Sequence, residues 1–257
     1  MTIYSWNMLF TTRERNRAFE FIANTDFDIF CLQEVPNGFL PRLQELGCHI
    51  AYVAEGKRLP PYRPITIYSV ILSRYPILNQ QMIALPDYSD ILRLWTKITL
   101  CLLRMIPFSK IQNRYGLYVD IQTPYGKIRV CNLHITLAHP ARRAQEFDAL
   151  FAHYDQNIPT IICGDFNILE KPHITILNWL FGGKVSDALS YRRERTHIEE
   201  RFVEHSLTNA LRGKVTHPLS QSQLDHILVS HEFVIKNAEV LKDRRGSDHH
   251  PIRVEVA

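Results

Sequence analysis

Polar side chains that could bind a cation or move a proton recur at the ends of apolar, strand-like runs along this 257-residue sequence. They are Asn7, Glu34, His134, Asp165, Asn167, Asp225, Asp248 and His249. Polar residues collect by default where chains reach the surface, so each of them alone is weak support for a site. Together they supply the carboxylates, amides and imidazoles that hold a hard cation and handle a proton beside an anionic substrate. The set therefore predicts a metal-assisted site at one rim of packed sheets.

The elements that must position these residues are mostly strands. Apolar or alternating runs rich in Ile, Val, Tyr and Phe are typical of strands, and here they are TIYSW, DIFCLQ, TIYSVILS, LYVDIQT, KIRVCNLH, TIICG, LDHILVS and IRVEV. Helical periodicity is clearest in PARRAQEFDALFAHYDQN and weaker in RERNRAFEFIANT, FLPRLQEL and HITILNWLFGG. TPYG between two strands predicts a hairpin turn. One open sheet of so many strands would be very wide, so we expect an α/β domain with two packed sheets and peripheral helices.

Length and composition favour one folded domain over residues 1–257. The chain is 46% hydrophobic and 22% charged, which suits a sizeable core. Its sequence contains no linker, low-complexity tract or repeat that would divide it. The formal charge of +4 and the pI of about 8.8 are compatible with a phosphate-bearing substrate and favour one only slightly.

Cysteine usage predicts a cytoplasmic protein. The five cysteines are odd in number and show no CxxC spacing, and three of them lie inside apolar strand-like runs. They are Cys31, Cys48, Cys101, Cys131 and Cys163. This pattern indicates reduced core residues rather than a disulfide framework or a zinc site. The amino-terminal MTIYSWNMLFTTRER lacks the basic and apolar regions of a secretory signal, and no feature of the sequence indicates an obligate protein partner.

Six short motifs, SWN, LQE, NLH, GDFN, LDHIL and SDHHP, follow one another between Asn7 and Pro251. In this order they resemble the signature of the endonuclease/exonuclease/phosphatase superfamily of metal-dependent phosphoesterases. GDFN after a buried strand and SDHxP are fairly specific, whereas WN and QE are weak alone. The resemblance implies a DNase I-like α/β fold, a four-layer α/β/β/α sandwich of two mixed sheets. DFDIFCLQE and IPTIICGDFN, both apolar strands that end in an acid, also hint at two similar halves.

The resemblance implies a metal site built from three of the polar residues. Glu34 would be the main ligand of a Mg²⁺ or Mn²⁺ ion, with Asn7 nearby, since a carboxylate, an amide and several waters suit Mg²⁺. Asp248 would be a ligand of a second metal ion or would support His249. The ion would polarise a phosphoryl oxygen and offset the charge that develops on it.

The resemblance also implies roles for the residues that act on the substrate. His134 and Asn167 would donate hydrogen bonds to the non-bridging phosphoryl oxygens. Asp165 would orient or deprotonate the attacking water. His249, held by Asp225, would supply the other proton-handling or phosphate-contacting group, and which of Asp165 and His249 is the general base stays open.

Two neighbouring histidines are interpreted as supporting residues instead. His226 alternates to the opposite face of its strand from Asp225 and is expected to be structural. His250 follows the motif histidine and is expected at the surface or behind the site.

The sequence departs from one branch of the superfamily. Abasic-site endonucleases usually carry an acidic residue two positions after the first asparagine and an asparagine in place of the NLH histidine, where this chain has Leu9 and His134. A histidine there is similar to the DNase I, sphingomyelinase, deadenylase, tyrosyl-DNA phosphodiesterase and inositol-phosphatase branches. Those branches share chemistry but not substrate.

We expect a phosphodiesterase that acts on nucleic acid, with a phosphatase or phosphodiesterase for a phospholipid or inositol-phosphate head group as the alternative. A catalytically silent binding module is disfavoured because the motif residues are intact.

Two further segments bear on the substrate. Residues 88–110, and the stretch after them to Arg114, interleave basic residues with Leu, Ile, Trp and Phe. Charges interrupt the apolar runs too often for a transmembrane helix. The favoured interpretation is an amphipathic helix that caps the sheet, and the alternatives are a basic wall that grips nucleic acid and a helix that lies on anionic membrane. SYRRERTHIEERFVEH, whose charges nearly cancel, is expected to be a solvated helix or loop.

Overall fold

The computed structural model of the protein describes residues 1–58, 65–86, 114–189 and 192–257. Twelve strands in these ranges build two sheets. In chain order they are β1 (Thr2–Asn7), β2 (Ile29–Pro36), β3 (His49–Arg58), β4 (Ile65–Ser73), β5 (Ile77–Ala84), β6 (Tyr115–Thr123), β7 (Gly126–His134), β8 (Thr160–Asp165), β9 (Leu207–Asn209), β10 (Asp225–Ser230), β11 (Ile235–Val240) and β12 (Ile252–Val256). The helices of the same ranges are α1 (Arg15–Asn24), α2 (Leu40–Gln44), α3 (Pro140–Phe151), α4 (Pro172–Leu180), α5 (Val185–Leu189) and α6 (Arg193–Glu204), and a 3-10 turn at Asn37–Phe39 precedes α2.

Both sheets are mixed and contain six strands each. The first has the order β11-β12-β1-β2-β4-β3, and the second has the order β5-β6-β7-β8-β10-β9. Strands β1 and β2 run parallel, as do β7 and β8, and their outer neighbours β4 and β10 run antiparallel to them. Each sheet therefore repeats the same local arrangement, which agrees with the two similar halves that the sequence hints at.

Side-chain alternation explains why the central strands are apolar on both faces. In β2, Ile29 and Cys31 pack between the two sheets, whereas Phe30 and Leu32 face the helices. Successive side chains of a strand point to opposite faces, so a strand that is covered on both sides reads as a continuous apolar run. The central strands are thus buried between two layers rather than open to solvent.

Helices cover the outer face of each sheet. Ala18 and Ile22 of α1 are buried against the first sheet, in one cluster with its outward-facing side chains. Phe147 and Leu150 of α3, together with Phe202 of α6, cover the second sheet in the same way. The order of layers is therefore α/β/β/α, which confirms the predicted fold class.

The strand and helix predictions that fall on the described residues are confirmed, although the ends differ, whereas the amphipathic helix predicted for residues 88–110 lies outside those residues. TPYG is the turn of the β6–β7 hairpin, where Thr123 pairs with Gly126. Helix α3 ends at Phe151, before the predicted end of the periodic segment. Helix α6 is less solvated than predicted, because Ile198 and Phe202 are buried in the second sheet's outer cluster.

Residues 88–110 lie outside the described residues, so their predicted contacts with nucleic acid or membrane remain predictions. Arg114, which ends the basic stretch, is buried and forms an ion pair with Glu146 at 2.6 Å. This arginine is therefore part of the core and not of a basic surface. Among the described residues, no helix is long and apolar enough to cross a membrane.

Candidate active site

The ends of three strands of the second sheet meet at one rim. His134 ends β7 and Asp165 ends β8, and the two residues are register partners in the parallel pair. Asp225 opens the antiparallel strand β10 opposite Asp165. The alternating apolar pattern of these strands thus delivers three of the predicted residues to the same edge.

Asp165 lies at the centre of the site and is 1% exposed. Its Oδ1 accepts a hydrogen bond from the Asn167 backbone N–H at 2.9 Å, and its Oδ2 accepts one from Asn7 Nδ2 at 3.1 Å. The same Oδ2 lies 3.6 Å from His134 Nε2 and 3.6 Å from His249 Nε2. The structure therefore brings residues from both sheets to one carboxylate oxygen.

His249 reaches the site from the loop before β12. Its Nδ1 lies 2.8 Å from Asp225 Oδ2, which makes Asp225 the acceptor of the Nδ1 proton. Ser247 fixes this loop, because its hydroxyl donates to the Asn7 carbonyl at 2.7 Å and accepts the His249 N–H at 3.0 Å. Burial lowers the pKa of His249, but the negative charges of Asp225 and Asp165 and the hydrogen bond to Asp225 outweigh it and raise the pKa to about 10. His249 is therefore held as a charged imidazolium in this arrangement.

His134 has a carboxylate partner that the sequence analysis missed. Its Nδ1 contacts Glu55 Oε1 in β3, across the space between the sheets. Glu55 is 3% exposed, and its Oε2 accepts hydrogen bonds from the Glu34 N–H at 3.1 Å and the Ser69 hydroxyl at 3.4 Å. Glu55 was missed because it carries no motif and lies in a strand that was not predicted, although the alternation of IAYVAE could have indicated that strand.

Glu34 is presented by a local irregularity of β2. The pairing of β2 with β4 shifts register between Leu32 and Val35, and Glu34 between them has a φ of +55°. A left-handed backbone is unfavourable for a residue with a Cβ, by about 1–2 kcal/mol. Strain of this kind is concentrated at functional sites. The bulge thus turns the Glu34 side chain out of the strand's normal alternation.

The predicted metal ligands Asn7 and Glu34 are held by two successive backbone amides. Leu9 N–H donates to Asn7 Oδ1 at 3.0 Å, and Phe10 N–H donates to Glu34 Oε2 at 3.2 Å. This loop therefore places an amide oxygen and a carboxylate side by side. Asp248, the third predicted ligand, is half exposed, with its Oδ1 4.0 Å from His249 Nε2.

The donor chemistry of these three residues fits a hard divalent cation. All three offer oxygen atoms, which Mg²⁺ and Mn²⁺ prefer, and Mg²⁺ keeps several waters when it is bound by few protein ligands. Two further groups lie close enough to share a cation, with ligand atoms within 4.8 Å of one another: Asp165, Asp225 and His249, and His217, Asp248 and His249. Neither group includes Glu34. The expected Mg²⁺ or Mn²⁺ ion is therefore inferred from the oxygen ligands of Glu34, Asn7 and Asp248 and not from these distances.

Two supporting histidines occupy the positions expected of them. His226 is fully buried, stacks on Phe166 at 4.5 Å and lies 2.6 Å from Arg195 Nη1. Burial and the charge of Arg195 hold the pKa of His226 well below its usual range. His250 Nδ1 lies 2.7 Å from the Leu241 carbonyl, away from Asp165. Both histidines hold the scaffold around the site.

The family model described as Endonuclease/Exonuclease/phosphatase family matches residues 4–249. No curated protein sequence matches the chain.

The fold is similar to that of an endonuclease/exonuclease/phosphatase from Beutenbergia cavernae, with a TM-score of 0.70 and 17% identity over 100% of this chain and 71% of that chain. It is also similar to the mannosyl-6-phosphatase Bt3783 of Bacteroides thetaiotaomicron, with a TM-score of 0.59 and 19% identity over 100% and 99% of the two chains. A third similar structure is ANGEL2, a 2',3'-cyclic phosphatase, in complex with adenosine-2',3'-vanadate, with a TM-score of 0.62 and 16% identity over 99% and 94%. At these identities the likeness shows a shared fold.

Proposed function

The chain belongs to the Endonuclease/Exonuclease/phosphatase family of phosphoester hydrolases, and from this premise we propose that it is a Mg²⁺-dependent phosphodiesterase that acts on nucleic acid. One observation carries the proposal: the buried Asp165 carboxylate lies between two imidazoles, 3.6 Å from each, and beside Asn7. That arrangement offers a base, a proton donor and a phosphate contact within one small space. We also propose that residues 1–257 form one catalytic domain that works in the cytoplasm.

Glu34, Asn7 and Asp248 are the residues that would hold the ion. When bound, the ion supplies a Lewis acid that polarises a phosphoryl oxygen. The loop at Leu9 and Phe10 fixes two of these ligands before any substrate arrives. Preorganised ligands of this kind stabilise the developing charge without rearranging during the reaction.

Asp165 is the group that orients or deprotonates the attacking water. Its Oδ1 is bound to the Asn167 N–H, and Asn7 Nδ2 holds Oδ2. These hydrogen bonds fix the plane of the carboxylate, so that Oδ2 faces the space between His134 and His249. A carboxylate fixed in this way can accept a proton from water along a defined direction.

His249 is the group that donates to the substrate from Nε2. Asp225 holds Nδ1 at 2.8 Å, and this contact fixes the orientation of the ring. An imidazolium carries a proton on each nitrogen, so Nε2 can donate to a phosphoryl or leaving-group oxygen while Nδ1 stays bound to Asp225.

His134 and Asn167 are the contacts to the non-bridging oxygens. Glu55 holds Nδ1 of His134, so Nε2 is left to face the substrate beside Asp165. Asn167 Nδ2 donates to the Ile135 carbonyl at 2.8 Å. An amide group has two N–H hydrogens, so the second can reach a phosphoryl oxygen.

Two observations support nucleic acid as the substrate. The formal charge of +4 favours a polyanion, although only slightly. ANGEL2, which has the same fold, is a 2',3'-cyclic phosphatase bound to an adenosine vanadate. A nucleotide phosphoester is therefore chemistry that this fold accommodates.

The alternative substrate is a phospholipid or inositol-phosphate head group. Large apolar side chains are exposed on the helices that follow β8, namely Ile176 and Trp179 on α4 and Leu189 on α5. Apolar and aromatic side chains of this kind are typical of surfaces that enter the membrane interface. Bt3783, a mannosyl-6-phosphatase, also shows that the fold is used for phosphate esters of other compounds.

The test is hydrolysis of single-stranded and double-stranded DNA and of RNA in Mg²⁺, with and without EDTA. His249→Ala is run beside the wild type, and His250→Ala serves as the matched control at the neighbouring position. We expect EDTA to abolish cleavage, His249→Ala to lower it by at least ~100-fold, and His250→Ala to leave it near the wild-type rate.

The outcomes separate the two substrate classes. Cleavage of nucleic acid that is lost in His249→Ala but kept in His250→Ala supports the nuclease. Turnover of phosphoinositides in liposomes, with no cleavage of any nucleic acid, would replace it with the lipid alternative. Activity that survives EDTA, or that His249→Ala leaves unchanged, contradicts the mechanism for either substrate.

A further inference from the structure

His217 lies beside the candidate site although no motif includes it. Its ring centre is 4.7 Å from that of His249, and its Nε2 lies 3.7 Å from Asp248 Oδ2. The side chain is 12% exposed, so it is largely enclosed where it faces the site. Among the described residues, His217 is thus a histidine that contacts two residues assigned to the reaction and has no assigned role of its own.

The backbone around His217 is tied to both halves of the site. The hydroxyl of Thr216 accepts the Asp225 N–H at 2.9 Å, and the Thr216 carbonyl accepts the His250 N–H at 2.9 Å. One residue therefore links the start of β10 to the loop that carries His249. His217 follows directly, so its position is fixed relative to both.

The hydrogen bonds of His217 define which of its nitrogens carries the proton. Ser220 N–H donates to His217 Nδ1 at 3.2 Å, and the Ser220 hydroxyl lies 2.9 Å from the same atom. A backbone N–H can only donate, so Nδ1 is the acceptor and is unprotonated. A neutral imidazole with an unprotonated Nδ1 carries its proton on Nε2. His217 therefore presents an N–H donor toward Asp248.

Asp248 is the most exposed of the site's three aspartates, and its Oδ1 lies 3.4 Å from the Ser247 hydroxyl. Its side chain is 47% exposed, in contrast to the buried Asp165 and Asp225. His217 Nε2 lies 3.7 Å from Asp248 Oδ2, within the range of an ion pair but longer than a formed hydrogen bond. A donor at a fixed place, together with the Ser247 hydroxyl, can thus select one orientation of this half-exposed carboxylate.

We propose that His217 is a positioning residue of the reaction centre, which acts as a neutral Nε2–H donor and holds the Asp248 carboxylate beside His249. The proposal rests on the proposed function of the same site.

Two substitutions separate this role from a structural one. His217→Gln keeps an N–H donor near the place of Nε2, whereas His217→Asn keeps a polar atom only near the place of Nδ1. With bis(4-nitrophenyl) phosphate as the probe in saturating Mg²⁺, we expect His217→Asn to lower kcat by about 10-fold, the lower part of the range for positioned groups, with KM little changed. We expect His217→Gln to recover most of that loss.

A double-mutant cycle shows whether His217 acts through Asp248. In an Asp248→Ala background the acceptor is gone, so His217→Asn should cause no further loss of kcat. A full additional 10-fold loss in that background would mean that His217 acts on something else, and the proposal would be wrong. Equal rates for wild type, His217→Asn and His217→Gln would overturn it as well.

A measurement without turnover keeps the inference independent of the proposed function. In ¹⁵N-histidine-labelled protein, the ring nitrogens of His217 are assigned by their disappearance in His217→Asn. We expect the Nε2–H tautomer, with an Nε2 resonance that shifts in Asp248→Ala. An Nδ1–H tautomer, or a resonance that Asp248→Ala leaves unmoved, contradicts the proposal. If the wild type hydrolyses no phosphoester, the proposed function fails while this spectrum still decides the role of His217.

Discussion

Two histidine–carboxylate pairs flank Asp165 and cross the space between the sheets in opposite directions. His134, at the end of β7 in the second sheet, contacts Glu55 of β3 in the first. His249, in the loop before β12 of the first sheet, contacts Asp225 of β10 in the second. Each histidine turns Nδ1 to its carboxylate and brings Nε2 to 3.6 Å from the same Asp165 oxygen. The arrangement is nearly symmetric about Asp165.

The two pairs differ in how fully their carboxylates are satisfied. Glu55 Oε2 accepts hydrogen bonds from the Glu34 N–H and the Ser69 hydroxyl. Asp225 is fully buried, and within the described residues its Oδ1 has no hydrogen-bond partner. Other donors therefore share the charge of Glu55, whereas that of Asp225 acts mainly on His249. The comparison teaches that both pairs join the sheets, but the Asp225 pair keeps His249 charged, whereas Glu55 also binds the Glu34 backbone and the Ser69 hydroxyl.

Asp165→Asn should have the largest effect, because it removes the carboxylate that both histidines face. Asparagine keeps the shape but cannot accept a proton from water, so we expect kcat to fall by at least ~100-fold with little loss of thermal stability. Steady-state kinetics and a melting curve measure the two quantities. Activity within a few-fold of the wild type would show that the two histidines act without a base between them.

Asp225→Asn and Glu55→Gln compare the two pairs directly. Asp225→Asn removes the charge that holds His249, so we expect a loss of kcat near ~100-fold, whereas Glu55→Gln should lower kcat by about 10-fold. Both variants are measured on the substrate that the wild type cleaves best. Equal losses would mean that the pairs are equivalent, and a larger loss in Glu55→Gln would reverse their assignment.

A further expected effect is on stability as a function of pH and not on activity. The pKa of His249 is about 10 in the folded protein against an ordinary value of 6.5, so the protonated ring stabilises the folded state. This contribution is fully present below pH 6.5 and is lost as the pH rises through 10. In EDTA, the free energy of unfolding should therefore fall between pH 7 and pH 10, by at most about 1.4 kcal/mol per pH unit from this one group. Urea titrations at several pH values measure the slope.

The matched control for this slope is Asp225→Asn, which removes the main charge that raises the pKa of His249. The decline in stability between pH 7 and pH 10 should be shallower in that variant. An identical slope in both proteins would mean that a group other than His249 causes the pH dependence of stability.

The central strands could be predicted from the sequence because they are apolar on both faces. Strands β2, β8 and β10 are buried between a second sheet and a helix layer, so they stand out as continuous runs. Strand β5 could not be predicted in this way, since Leu78 and Met82 are exposed and polar residues separate them. An edge strand lacks the burial that produces the pattern.

The candidate site was predictable where a motif ended a predicted strand, as at His134 and Asp165. Glu55 and His217 were not, because each is placed by a contact with a residue far away in the sequence, His134 and Asp248 respectively. The left-handed backbone of Glu34 depends on the pairing of β2 with β4, which a single sequence does not reveal. Residues fixed by tertiary pairing leave no local signal.

The pairing of β1 with β12 has a consequence for folding during synthesis on the ribosome. Ser5 is paired with Ile252, so β1 has a neighbour on both sides only after synthesis has passed that residue. Asp248 and His249 are also synthesised more than 200 residues after Asn7 and Glu34. A nascent chain therefore holds the apolar strand β1 half paired until Ile252 has been made, and contacts of such long sequence separation form slowly. Under the proposed function, activity can therefore arise only after synthesis has passed His249.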